Sequence, residues 1–122
     1  MDFFKKVNDT HGHNCGDFIL KQCSEVVKKC IRKDDILGRF GGEEFIVVLP
    51  NTELDTASEL AERIRSSIEQ FKFEFEGKTI QQTISLGVSQ YHQDFPDFKA
   101  FMENADQKLY RSKKEGRNKV TA

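Results

Sequence analysis

Ile36-Leu37-Gly38-Arg39-Phe40-Gly41-Gly42-Glu43-Glu44-Phe45-Ile46-Val47-Val48-Leu49 is the stretch that decides the fold. Two short apolar runs, 36–40 and 45–49, flank a glycine pair whose lack of Cβ permits the positive φ angles of a tight turn. A β-hairpin is expected, with Glu43 and Glu44 at its tip and Pro50 ending its second strand. Successive strand residues point to opposite faces, so only one of the two glutamates is expected to face a given site directly. Two carboxylates on a rigid turn beside glycines can hold a hard cation while a phosphate chain approaches the backbone. Taken alone, they are equally two solvated acids at a turn.

On the upstream side, Ile19, Cys23, Val26, Val27 and Cys30 recur at helical spacing within 17–32, with Lys21, Glu25, Lys28 and Lys29 mostly opposite them. Cys23 and Cys30 read as small buried apolar residues of that face. On the downstream side, Thr52 is expected to cap a second amphipathic helix traced by Ala57, Leu60, Ala61, Ile64, Ile68 and Phe71. Phe71, Phe73 and Phe75 then alternate with charged residues, and Ile80, Ile84, Leu86 and Val88 continue the period of two beyond Gly77-Lys78. That pattern predicts a second antiparallel hairpin. Asp97 is placed to cap a last helix with the face Phe98, Phe101, Met102, Ala105 and Leu109, stopped by Gly116 and followed by a short strand in 118–121.

This order gives one α+β domain, residues 1–122, a mixed sandwich with helices packed on a central, largely antiparallel sheet. The chain has 122 residues, 19 Lys+Arg against 20 Asp+Glu, and a net charge of −1. Such a balance argues against a strongly basic nucleic-acid binder and against an acidic disordered tail. At this mass a folded chain exposes roughly 6,700 Å² against about 20,000 Å² unfolded, enough for a real core. No apolar run approaches the roughly 18 residues of a membrane span, and residues 1–6 lack the apolar h-region of a secretory signal, so the expected location is the cytoplasm. Three cysteines, Cys15, Cys23 and Cys30, form no C-x-x-C pair and suggest neither a disulfide framework nor a zinc site.

Residues 1–17 crowd polar groups and two glycines between apolar segments and read as a loop, either holding a polar ligand or simply solvated. Lys113 and Arg117 are four apart at a helix C-terminus, a spacing that places both on one side and suits the helix dipole.

Together these segments resemble the GGDEF family of diguanylate cyclases over essentially the whole chain. The resemblance rests on Phe3-Phe4-Lys5-Lys6-Val7-Asn8-Asp9, Gly12-His13, Gly16-Asp17, Arg39-Phe40-Gly41-Gly42-Glu43-Glu44-Phe45, Thr83-Ile84-Ser85-Leu86-Gly87-Val88, Ala105-Asp106, Leu109-Tyr110, Lys113 and Gly116-Arg117-Asn118. It implies a nucleotidyl-cyclase, palm-like fold. It also implies condensation of two GTP into cyclic di-GMP with release of two pyrophosphates, in a site shared by a homodimer, with two divalent cations, Mg²⁺ or Mn²⁺, per site. An upstream sensory or receiver domain is the implied partner, and nucleic acid is not.

Carried over by position, Glu43 resembles the metal-ligand glutamate, and Glu44 and Lys5 fall in the catalytic region. Gly41 and Gly42 would let phosphates approach the backbone, and Met1 would offer a backbone carbonyl to a cation. Asn8 and Asp17 match the residues that read guanine, Asp17 accepting from the N1 and N2 donors that adenine lacks, which implies GTP over ATP. Lys5, Lys113 and Arg117 match phosphate-contacting positions. Arg32-Lys33-Asp34-Asp35, with five residues between Asp35 and Gly41, resembles the R-x-x-D motif of a product-inhibition site, with Arg32 on guanine and phosphate edges, Asp35 accepting from the base and Arg63 assisting.

The match also implies that the family's first helix, most of its first strand and an aspartate that binds metal precede Met1, so this segment would be an N-terminally truncated domain with weakened metal binding and exposed strand edges. A non-enzymatic module that binds cyclic di-GMP or a partner protein is the alternative reading, and a structural domain with coincidental motifs is the third.

Overall fold

Ile19, Cys23, Val26 and Val27 form the buried face of α2 (His13–Cys30) in the computed structural model, which describes residues 1–122. That face meets Ile64 and Ile68 of α3 (Leu54–Gln70) and Phe73 of β3 (Phe73–Phe75), and these residues with Ile80 make up the central core. Each fully buried aliphatic or aromatic side chain of this kind contributes roughly 1.5–3 kcal/mol.

The first hairpin pairs β1 (Ile36–Arg39) with β2 (Phe45–Val48), in the register Ile36 opposite Val48 and Arg39 opposite Phe45. The second pairs β3 with β4 (Lys78–Ile80) across Glu76-Gly77, both at positive φ, the geometry of a two-residue type I′ turn. It ends at Ile80. Leu86 does not extend this hairpin: β5 (Leu86–Gly87) pairs in parallel with β6 (Val120–Thr121). A period-2 pattern reports which face a residue takes but not which strand it pairs with, so it could not separate these two ladders.

The class is α+β, with the sheet in three two-stranded pieces rather than one continuous ladder. Consistent with that division, the accessible surface is 8214 Å², larger than the roughly 6,700 Å² typical for this mass.

Residues 1–17 differ most from expectation. They form α1 (Phe4–His11) and the start of α2, separated by Gly12 at φ 91. Phe4 and Val7, one turn apart, bury a stripe on α1 and hold it to α2, leaving the polar residues on the outside. Composition suggested a loop because this stripe is only two residues wide.

Thr52 does not cap α3. Its hydroxyl donates to the Pro50 carbonyl at 2.9 Å, and the helix begins after Glu53 without a side-chain cap. Asp97 does cap α4 (Phe98–Lys114), its carboxylate accepting from Ala100 N at 2.8 Å. Of the predicted α4 face, Phe98 stays exposed and stacks edge-on against Phe101. The helix seats on β5 where Gly87 meets its backbone at Ala105 and Leu109, an approach that leaves no room for a Cβ. Ser112 Oγ donates to Leu86 O at 2.9 Å and locks the helix over the parallel pair. No helix is long and apolar enough to cross a membrane.

Candidate active site

The turn 41–44 is fixed by its own backbone. Phe40 N donates to Glu44 O at 2.8 Å, Glu44 N to Gly41 O at 2.9 Å, and Arg39 Nε to Gly42 O at 2.8 Å. Gly41 and Gly42 sit at φ 70 and 41, left-handed values that cost an L-residue roughly 1–2 kcal/mol. The two glutamates lie in this turn, ahead of β2, so strand alternation does not separate them. Both line one cavity of about 130 Å³, together with Met1, Asp106 and Lys113 and an apolar wall. Of the two, Glu43 is half-buried and Glu44 exposed.

Met1 is seated beside Glu43, its amino group donating to the Glu43 carbonyl at 3.3 Å. A magnesium-sized ion on a nucleotide takes one or two protein carboxylates and completes its oxygen set from phosphate and water. Glu43 with the neighbouring Met1 main chain fits that role for one ion. No group of three or more His, Cys, Asp or Glu side chains that could hold a metal ion converges anywhere in the chain, this cavity included.

Helical spacing does not bring the basic residues Lys113 and Arg117 to one side. Lys113 belongs to α4, but Arg117 lies beyond the helix end in a turn where Gly116, Arg117 and Asn118 have φ 117, 66 and 48. An i, i+4 helical relationship therefore does not place it. Its guanidinium instead stacks over the Phe3 ring at 4.6 Å. Phe3 is the N-cap of α1 and supplies no side-chain cap, so the first N–H groups of that helix stay open beside Arg117, with exposed Lys5 on its first turn. An uncapped helix N-terminus flanked by Lys5 and Arg117 suits a phosphate chain.

Asn8 of α1 packs onto Gly16 of α2, where an added Cβ would overlap the Asn8 amide. The two candidate guanine readers thus lie on two packed helices rather than in a loop, Asn8 against Gly16 and Asp17 one residue further along α2. Asp17 lines a second, wider cavity of about 550 Å³ with Leu20, Lys21, Arg39 and Phe45. Phe45 and Leu37 line both cavities, so the β1–β2 hairpin divides the carboxylate side from the Asp17 side.

Arg32, Asp35 and Arg63 also converge, at the α2–β1 connection. Arg32 N donates to Asp35 Oδ2 at 2.7 Å, its guanidinium reaches both Asp35 oxygens at 3.3 and 3.4 Å, and its Nη2 donates to Thr52 Oγ1 at 2.6 Å. Arg63 donates to Cys30 O at 3.4 Å. The Asp35 side chain is 1% exposed and that of Arg32 60%. Burial pushes the Asp35 pKa up, but the Arg32 amide and guanidinium outweigh it and leave the pKa below its ordinary value. Asp35 is thus occupied by Arg32 rather than turned outward, and Arg32 presents the free face.

The resemblance made Asp2 the second acid of a D-x-D pattern and not a principal metal ligand, and it gave Phe3 and Gly16 no role of their own. Gly16 carried a signal, since glycine inside a helix costs about 1 kcal/mol and asks for a reason. Phe3 and Asp2 carried none that spacing could reveal.

The geometry has counterparts. The family described as "Diguanylate cyclase, GGDEF domain" matches residues 1–119. The chain is 49% identical over 121 residues to diguanylate cyclase A of Treponema denticola, covering 99% of this chain and 33% of that protein. It superposes on the active GGEEF domain of a diguanylate cyclase from Vibrio cholerae with a TM-score of 0.88 at 38% identity, over 98% of this chain and 76% of that one. For the GGDEF domain of DgcB from Caulobacter crescentus, in complex with c-di-GMP, the TM-score is 0.93 at 31% identity, over 99% and 72%. The chain spans a third or less of the length of curated relatives such as the Treponema protein and Pseudomonas aeruginosa DgcP. On its signature turn, its fold and these matches, the chain belongs to the GGDEF domain family.

Proposed function

We propose that this domain, in the protein that carries it, is the catalytic domain of a diguanylate cyclase, condensing two GTP into cyclic di-GMP and two pyrophosphates. The observation that carries this reading is the shared cavity of Glu43, Glu44, Met1 and Lys113. Family membership and relatives named diguanylate cyclases support it.

The chain's own residues supply binding and orientation. Asn8 and Asp17 hold the guanine edge. Lys5, Lys113 and Arg117 offset triphosphate charge, and Gly41 and Gly42 let phosphates meet the backbone. Glu43, with the Met1 main chain beside it, would hold divalent metal, Mg²⁺ or Mn²⁺, two ions per site in this reading. When bound, the metal stabilises charge on the attacking and leaving oxygens. Glu44, exposed in the same turn, would accept the proton of the 3′-hydroxyl. Each domain of a homodimer contributes one GTP, so that each hydroxyl meets the other nucleotide's α-phosphate. The substrate places the reaction in the cytoplasm, and the greater length of the relatives leaves room for an upstream sensory or receiver domain.

Arg32, Arg63 and Asp35 form a product-inhibition site in this proposal. Asp35 acts by holding the Arg32 guanidinium, whose exposed face meets guanine and phosphate edges of cyclic di-GMP.

The test follows cyclic di-GMP by mass spectrometry when the full-length protein is incubated with GTP and Mg²⁺. Glu43→Gln abolishes product in a folded protein if the reading holds. Turnover of Glu43→Gln equal to wild type removes the role of Glu43, and absent turnover in the wild type with retained cyclic di-GMP binding transfers the domain to a receptor function.

A further inference from the structure

Asp2 is 4% exposed, and its carboxylate is fully engaged within the protein. It accepts from Thr83 Oγ1 at 2.8 Å, from Ser85 Oγ at 2.7 Å and from Asn118 N at 3.0 Å. Its main chain adds Asp2 N donating to Thr83 O at 3.0 Å and Gln82 Nε2 donating to Asp2 O at 2.7 Å. A carboxylate with three protein donors is spoken for, and it points at the turn rather than into the Glu43 cavity.

Asn118 is held from the other side by α3. Its Oδ1 accepts from Arg65 Nη1 at 2.8 Å, and its amide donates to Glu69. Arg65 is itself fixed by Glu62 at 2.6 Å and Glu69 at 3.4 Å, with its side chain 17% exposed. Both Arg117 and Asn118 adopt left-handed φ without being glycine, a conformation that persists only where surroundings impose it. The surroundings here are Asp2 on the Asn118 main chain, Arg65 and Glu69 on its side chain, and Ser112 O accepting from Arg117 N at 2.9 Å. The residue after Asp2 is Phe3, whose ring carries the Arg117 guanidinium. One dipeptide thus grips both the backbone next to Arg117 and its side chain.

We propose that Asp2 and Asn118 are positioning residues for Arg117, setting the turn that aims its guanidinium at the nucleotide's phosphates. The proposal rests on the reading of Arg117 as a phosphate ligand. It predicts a defect in triphosphate recognition that leaves the guanine half of the site untouched.

Calorimetric binding of GTP and of guanosine, which has no phosphates, to the 122-residue chain in Mg²⁺ separates the cases. Arg117→Ala is expected to weaken GTP by about tenfold or more and guanosine by less than about twofold. Asp2→Asn and Asn118→Ala should each weaken GTP by about fivefold, the scale of one hydrogen bond to a charged group, with guanosine unchanged. In an Arg117→Ala background, Asp2→Asn should add nothing, because its effect runs through that arginine. If Asp2→Asn does not fold, Asn118→Ala, which keeps the main-chain bond to Asp2, carries the same comparison. Equal losses for GTP and guanosine, or additive losses in the double variant, overturn the positioning role. Unchanged GTP binding in Arg117→Ala overturns the underlying phosphate role, and an unaffected Asp2→Asn beside a weakened Arg117→Ala overturns the positioning alone.

Discussion

The Asn8 amide lies over the Cα of Gly16, so close that a Cβ at that position would overlap its oxygen. A helical glycine is therefore the condition for Asn8 to sit this close to α2, one residue before Asp17. In an open helix Gly→Ala stabilises by about 1 kcal/mol. Gly16→Ala should instead displace Asn8 and weaken GTP binding by about tenfold while the far-ultraviolet circular dichroism stays helical. Undiminished GTP affinity would show that Asn8 does not read the base.

Gly87 has the same kind of role against α4, whose backbone at Ala105 and Leu109 occupies the space of a Cβ. Gly87→Ala should cost about 1–3 kcal/mol, the range for overpacking, seen as a lower urea midpoint. An unchanged midpoint would mean that α4 shifts away freely.

Asp35 ties stability to acid. Its folded pKa lies below the ordinary 3.8, so the stabilisation is complete above that value and is lost as pH falls through the folded value. Wild type should lose stability between pH 4 and the folded pKa, whereas Asp35→Asn starts about 1–2 kcal/mol lower at pH 7, a modest figure because Arg32 is solvent-screened, and lacks this acid-dependent step. Denaturant midpoints at pH 7 and at pH 3 check this; parallel declines in both proteins would remove the role of Asp35.

The thiols should react unequally. Burial pushes the Cys23 pKa up to about 12, and burial raises that of Cys15 as well, while Cys30 is half-exposed with its Sγ 3.7 Å from Ser67 Oγ. Iodoacetamide at pH 8 should add one carbamidomethyl group to the native protein, at Cys30, and three in urea. Native labelling of Cys23 would show that the core opens.

How much of this could be read in advance differs by element. The β1–β2 hairpin, α2, α3 and the Asp97 cap followed from local pattern, because apolar period and turn chemistry act over a few residues. The helical state of 4–16 was hidden because only Phe4 and Val7 mark its buried stripe. The parallel β5–β6 pair depends on residues far apart in sequence, which no local period encodes. In the site, motif register named Glu43, Glu44, Lys113 and Asp17; the first three line one cavity and Asp17 another, on the two sides of one hairpin. The Asp2–Asn118 contact spans almost the whole chain, and only folding brings it together.

The most direct measurement of the central claim is titration of the 122-residue chain with GTP and with ATP in Mg²⁺, for wild type and Asp17→Ala. A domain that reads guanine through Asn8 and Asp17 binds GTP at least about tenfold more tightly than ATP, because the Asp17 carboxylate has donors to meet only on guanine. Asp17→Ala should bring the two nucleotides within about twofold of each other. Equal affinities in the wild-type chain would contradict the account.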